Sequence, residues 1–115
     1  MKTILVPLDF SDNSIKALDF AAYLVKETRN KLLLMHAYQS QGIFRTLQNV
    51  MSIENATNKK LQKLSDELIR LKNISCSYLS VFGSPIEAIV ETVDKRDVSL
   101  VVMGTKGADG LKDYL

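Results

Sequence analysis

Asp9 stands directly after the apolar stretch ILVPL at residues 4–8. A carboxylate just past a buried strand can accept hydrogen bonds from the hydroxyl or amino groups of a ligand. Near the other end, the apolar run LVVM at 100–103 leads into Gly104, Gly107 and Gly110, with Lys106 among them. Glycines where a strand hands over to a helix admit positive φ and let backbone N–H groups approach a ligand closely. A helix N-terminus favours an anion by about 0.3–1 kcal/mol near a surface, and Lys106 adds a positive charge. Plain structural readings stand beside these: the glycines make a tight turn, and Asp9, with Ser11 and Asp12, caps a helix. Spacing alone leaves both open. The glycine pattern is neither the dinucleotide G-x-G-x-x-G nor the P-loop G-x-x-x-x-G-K-[ST].

Other chemistry finds little footing. Asp9 and Asp12, three apart across a turn, could hold a magnesium ion, but acidic caps look the same. No Ser/His/Asp set, metal-ligand cluster or close carboxylate pair is placed by the pattern, so an enzyme is not expected. The one cysteine, Cys76, excludes an internal disulfide and a multi-cysteine zinc site. With Ile74 and Tyr78 at period two around it, it reads as a buried strand thiol. Fifteen basic against thirteen acidic residues, net +2, give no nucleic-acid footprint. The N-terminal apolar run is broken by Pro7 and Asp9, too early for a signal peptide or a membrane span. A cytoplasmic protein without a membrane partner is expected, in keeping with the cysteine usage.

A chain of 115 residues is one domain, 1–115, able to bury a single core. Apolar runs at 4–8, 31–38, 75–82 and 100–103 alternate with helical patterns. Three runs are nearly continuous, as in strands covered on both faces. The third is interrupted by Ser75, Ser77 and Ser80 and reads as a sheet edge. The first helix starts at Ser11 and buries Ile15, Leu18, Ala21, Ala22 and Val25. The second, about 52–72, presents Ile53, Ala56, Leu61, Leu64, Leu68 and Leu71. The third opens on Ser84-Pro85-Ile86-Glu87, a cap serine, a first-turn proline and a capping-box glutamate. Its expected buried face is Ile86, Ile89, Val90 and Val93. Residues 39–51 form the longest loop candidate, part of it helical.

An alternating β-α order with buried strands implies an α/β fold, a parallel sheet with right-handed crossovers. If the third strand is an edge, the order is 3-2-1-4, with the first two helices on one face and the third on the other. The order reverses between strands 1 and 4, and open α/β sheets bind ligands beyond the strand C-termini at such a switch point. The turn carrying Asp9 and the glycine loop meet there.

At this point the residues resemble the universal stress protein family. The resemblance spans the chain: I-L-V-P-L-D-F-S, then S-x-x-A-L at Ser14 to Leu18, L-L-M-H-A ending strand 2, G-S-P before the third helix, and V-V-M-G-T-K-G-A-D-G-L. It implies a sheet of order 3-2-1-4-5 and, as in many members, an ATP or AMP site. By resemblance Asp9 contacts the nucleotide, Pro7 and Ala37 line the adenine pocket, and Met103 and Gly104 floor the site. Gly107 approaches the ribose and phosphates. His36 also matches, although a histidine in an apolar strand is more often a hydrogen-bonded core residue than a catalyst, and that plainer reading is kept. The family motif G-x-x-G-x9-G-[ST] is half present, its second glycine expected two positions beyond Leu115. Together with the family's fifth strand, which commonly mediates dimers, that half is not in this sequence. The expectation is therefore a truncated domain with adenine-nucleotide binding weak or lost, and homo-oligomers through the exposed strand 4 edge. The alternative is a dimerisation or protein-interaction module that binds no nucleotide.

Overall fold

The computed structural model describes residues 1–39 and 46–104; Lys106 and Gly107 lie outside them. The elements run β1 (Thr3–Pro7), α1 (Asp12–Thr28), β2 (Lys31–Tyr38), α2 (Leu47–Lys72), β3 (Ser75–Phe82), α3 (Pro85–Lys95) and β4 (Val98–Val101). All strands are parallel, in the order β3-β2-β1-β4. This is the α/β architecture expected from the alternation of elements.

The side-chain period of two in each strand divides the core between two faces. Ile4, Val6, Leu8, Leu32 and Leu34 meet Leu18, Ala21, Ala22 and Val25 of α1 and Leu61 and Leu68 of α2. On the other face Leu5, Leu33 and Met35 meet Ala88 of α3, with Ile89 and Val93 packed around them. Because β1 and β2 are covered on both sides, they read as unbroken apolar runs. Two helices on one face and one on the other follow from right-handed crossovers in a sheet whose order reverses at β1.

Local chemistry sets the helix ends. Ser11 Oγ accepts the Ser14 N–H at 3.2 Å, and Ser84 Oγ accepts that of Glu87 at 3.4 Å, with Pro85 in the first turn. Thr46 Oγ1 accepts the Asn49 N–H at 3.2 Å, so α2 starts five residues ahead of the expected 52 and takes in part of the 39–51 loop candidate. Gly83 turns the chain out of β3 at φ 144°, a conformation side chains rarely adopt.

Three expectations need correction. In α3 the most buried residues are Ala88 and Thr92, whereas Ile86 and Val90 are 76% and 59% exposed. Small side chains let the helix approach the sheet, and the Thr92 hydroxyl is satisfied by donating to Ala88 O at 2.7 Å. In α2, Ala56 and Leu71 are exposed, while Thr57 and Ser65 are buried. Finally, β4 lies two residues earlier than the run at 100–103. It starts directly after Asp97 and slips by a residue between Thr3 and Ile4 of β1. No helix among the described residues is long and apolar enough to cross a membrane.

Candidate functional site

β1 delivers its last ladder residue, Pro7, opposite Met35 of β2. Leu8 then donates its N–H to Met35 O at 2.7 Å and is itself buried, which pins the chain to the C-terminal rim of the sheet. Its carbonyl accepts from His36 Nδ1 at 2.6 Å. A carbonyl only accepts, so Nδ1 carries the hydrogen. His36 is thus the hydrogen-bonded strand histidine of the plainer reading, tying β2 to the turn after β1.

Phe10 is the irregular residue of that turn. Its φ of 64° is left-handed, rare for a bulky side chain, and costs about 1–3 kcal/mol unless its surroundings hold it. Here they do. The Phe10 ring packs on His36 with centroids 4.8 Å apart, and Lys60 Nζ of α2 lies 5.1 Å from the Phe10 centroid. The reversal at Phe10 lets Asp9 Oδ1 accept the Ser11 N–H at 2.9 Å. Asp9 remains exposed at the rim. Hydrogen bonding from Ser11, through its hydroxyl and then its backbone N–H, holds the Asp9 carboxyl below the usual carboxylate range. Asp9 is therefore a charged acceptor fixed beside the N-terminus of α1.

On the other side of β1, the Val102 N–H donates to Leu5 O at 2.9 Å and carries the chain past the end of β4. Gly104 then lies against the first turn of α1. A Cβ there would fall 2.5 Å from Asn13 O and 2.9 Å from Ser14 N. The glycine is demanded by the helix backbone, and its φ is not in the left-handed region. The close approach expected of this residue is thus to the protein's own α1.

The rim brings five of the expected residues together. Pro7 and Ala37 project to the α3 side of neighbouring strands, both half-buried. Asp9 follows in the turn, and Met103, 54% exposed, and Gly104 close the row beyond β4. Sequence reading missed Phe10 and Lys60, and it had His36 as a hydrogen-bonded strand residue without its partner, Leu8 O. A histidine within an apolar strand was the signal for His36; nothing local marks the other two. Cys76 is half-buried, and burial pushes its thiol up, against a role as nucleophile.

Comparison with known proteins agrees with this fold. The model of the universal stress protein family matches residues 1–115. The chain is 29% identical to the universal stress protein YxiE of Bacillus subtilis, over 97% of this chain and 84% of that protein. Among solved structures, a universal stress protein family member from Burkholderia pseudomallei superposes with a TM-score of 0.73 at 20% identity, covering 98% of this chain and 89% of that one. A universal stress protein in complex with cAMP gives 0.70 at 25% identity, over 88% of this chain and 74% of its own. With the strand order and the family match over residues 1–115 in agreement, the chain belongs to the universal stress protein family.

Proposed function

We propose that the chain is a stress-response module that binds an adenine nucleotide, ATP or AMP, at the rim between β1 and β4, and that it acts by binding rather than by catalysis. One observation carries this reading: Gly104 lies against the α1 backbone at Asn13, so the turn bearing Asp9 and the loop after β4 share one rim. The relative solved with cAMP adds support, since it holds an adenine nucleotide on the same fold.

In this reading Pro7 and Ala37 receive the adenine ring on the α3 side of the sheet. The Asp9 carboxylate, charged at neutral pH, accepts hydrogen bonds from the ribose hydroxyls or the adenine amino group. Met103 and Gly104 form the floor. Lys106 and Gly107 attend the phosphates. Pro7, Asp9 and Ala37 all address the nucleoside, so the adenosine half of the ligand carries most of the affinity.

A thermal-shift series with ATP, AMP, cAMP and adenosine at millimolar concentration tests this. A ligand present at a hundred times its dissociation constant adds about 2.7 kcal/mol to the folded state. Stabilisation by all four adenine compounds and none by guanosine is expected, with Asp9→Ala abolishing it. No shift with any adenine compound removes the nucleotide reading and leaves a protein-interaction module.

A further inference from the structure

The outer edge of β3 is unlike an ordinary protected edge. Among the described residues no strand lies beyond it. It pairs with β2 in unbroken register over its full length, Lys31 with Ser75 through Tyr38 with Phe82. Its sequence, SCSYLSVF, has no charge, no proline and no glycine. Natural edges are usually blunted by such charges, prolines or bulges, or by being short. The Gly83 N–H donates inward to Tyr38 O. In a parallel ladder the direction alternates with each residue, so Tyr78 and Ser80 turn both backbone groups outward. One outward carbonyl, that of Cys76, accepts from Ser65 Oγ of α2 at 3.3 Å.

That bond also shows which flank of α2 overhangs the edge. At 3.6 residues per turn, Leu47, Met51, Asn58, Ser65 and Ile69 fall in one stripe about 40° wide. α2 is rich in lysine, yet none of these five is charged. Leu47, Met51 and Ile69 are 76%, 52% and 44% exposed. The stripe is apolar at both ends and polar in the middle. Its middle also coincides with the middle of the edge. Moving from Cys76 to Tyr78 or Ser80 is ~7–13 Å along the strand, which corresponds on α2 to ~4–9 residues back from Ser65, the neighbourhood of Asn58.

We propose that the chain self-associates through the outer edge of β3. Two copies join antiparallel about a two-fold axis normal to the sheet, and the uncharged flank of α2 from each copy covers the join. Antiparallel docking sets Leu47 near the partner's Ile69 and Met51 near the partner's Ser65, with Asn58 facing its counterpart at the axis. An isologous contact brings each group at the axis against itself, so a charge there would repel its twin; the uncharged stripe suits a second copy better than a charged partner. The outward groups of Tyr78 and Ser80 then find partners, and one sheet runs through both molecules.

The test is the mass in solution, by sedimentation at well-separated protein concentrations without nucleotide, so its result does not depend on the ligand reading. A dimer is expected for the native chain. Ser80→Pro removes only an outward N–H and leaves the β2 ladder intact. Asn58→Lys sets two cations together at the axis. Each variant weakens the dimer ~100-fold or more while keeping the native circular dichroism spectrum. Mixing Asn58→Lys with Asn58→Asp restores dimers, and this pair decides the matter if Ser80→Pro does not fold. A native chain that stays monomeric throughout overturns the proposal. So does a dimer that survives Asn58→Lys, or one lost on Ser99→Pro in β4 but kept in the β3 and α2 variants.

Discussion

The two outer strands, β3 and β4, each run on into a glycine, and the two glycines are there for opposite reasons. Gly83, after β3, has a φ of 144° and open space around it, with nothing within 4 Å of an added Cβ. Its backbone torsion is what excludes other residues. Gly104, after β4, has no left-handed torsion, but a Cβ would meet Asn13 O at 2.5 Å. There the neighbouring backbone excludes other residues. The same contrast runs through the strands. β3 is eight residues long and in even register, whereas β4 has four and a slip against β1. One side of the sheet ends in a regular edge, the other in a short strand clamped to the first turn of α1.

Substitutions can sharpen or break this contrast. The largest effect is expected from Gly104→Ala. Its clash is with helix backbone that cannot swing aside, so a loss of about 3 kcal/mol is expected in urea unfolding. A loss below about 0.5 kcal/mol would show that the loop after β4 is not held against α1. Gly83→Ala comes next. With space available and only torsion opposed, about 1–2 kcal/mol is expected. If it proves costlier than Gly104→Ala, the two roles are reversed. Ser65→Ala removes the hydroxyl that seals the Cys76 carbonyl at the β3 edge and is expected to cost about 1 kcal/mol. The companion readout is faster amide exchange along β3, with none along β4.

The smallest effect is on the rim itself. The folded pKa of Asp9 lies below its unfolded value, which is about 3.9. Its contribution to stability is complete above that value and disappears as the pH falls through the folded pKa. Asp9→Asn should therefore lower neutral stability slightly, by what the charged carboxylate contributes, and flatten the acid limb below about pH 4, where the two proteins converge. Chemical denaturation at stepped pH checks it. An unchanged acid limb would mean that Ser11 does not hold the carboxylate.

Much of this architecture was legible in the residues. Serines before apolar stripes marked the starts of α1 and α3, and the serines of SCSYLSVF marked an edge. From that edge the order 3-2-1-4 followed, and with it the placing of the chain after β4 beside the start of α1. The buried face of α3 was not legible. Ile86, Val90 and Ile89, Val93 form adjoining stripes, and periodicity does not say which one faces the sheet. The small residues Ala88 and Thr92 decided it by allowing close approach, with a hydroxyl that satisfies itself within the helix. The β4 boundary was missed because Ser99 interrupts the apolar run that hydrophobicity alone would follow. At the rim, Asp9 could be singled out by its place after a strand. The backbone reversal at Phe10 could not, because what holds it comes from His36 and Lys60, far away in sequence.

That support has a bearing on how the rim comes into being. A left-handed phenylalanine is poorly populated in a free peptide, so the turn holding Asp9 does not preform. It takes shape only once β2 has docked beside β1 and α2 has crossed over the sheet. Partly folded chains, even those with α1 in place, would lack the carboxylate in its place beside α1, and on the nucleotide reading proposed above the capacity to bind would arrive with the completed domain rather than ahead of it.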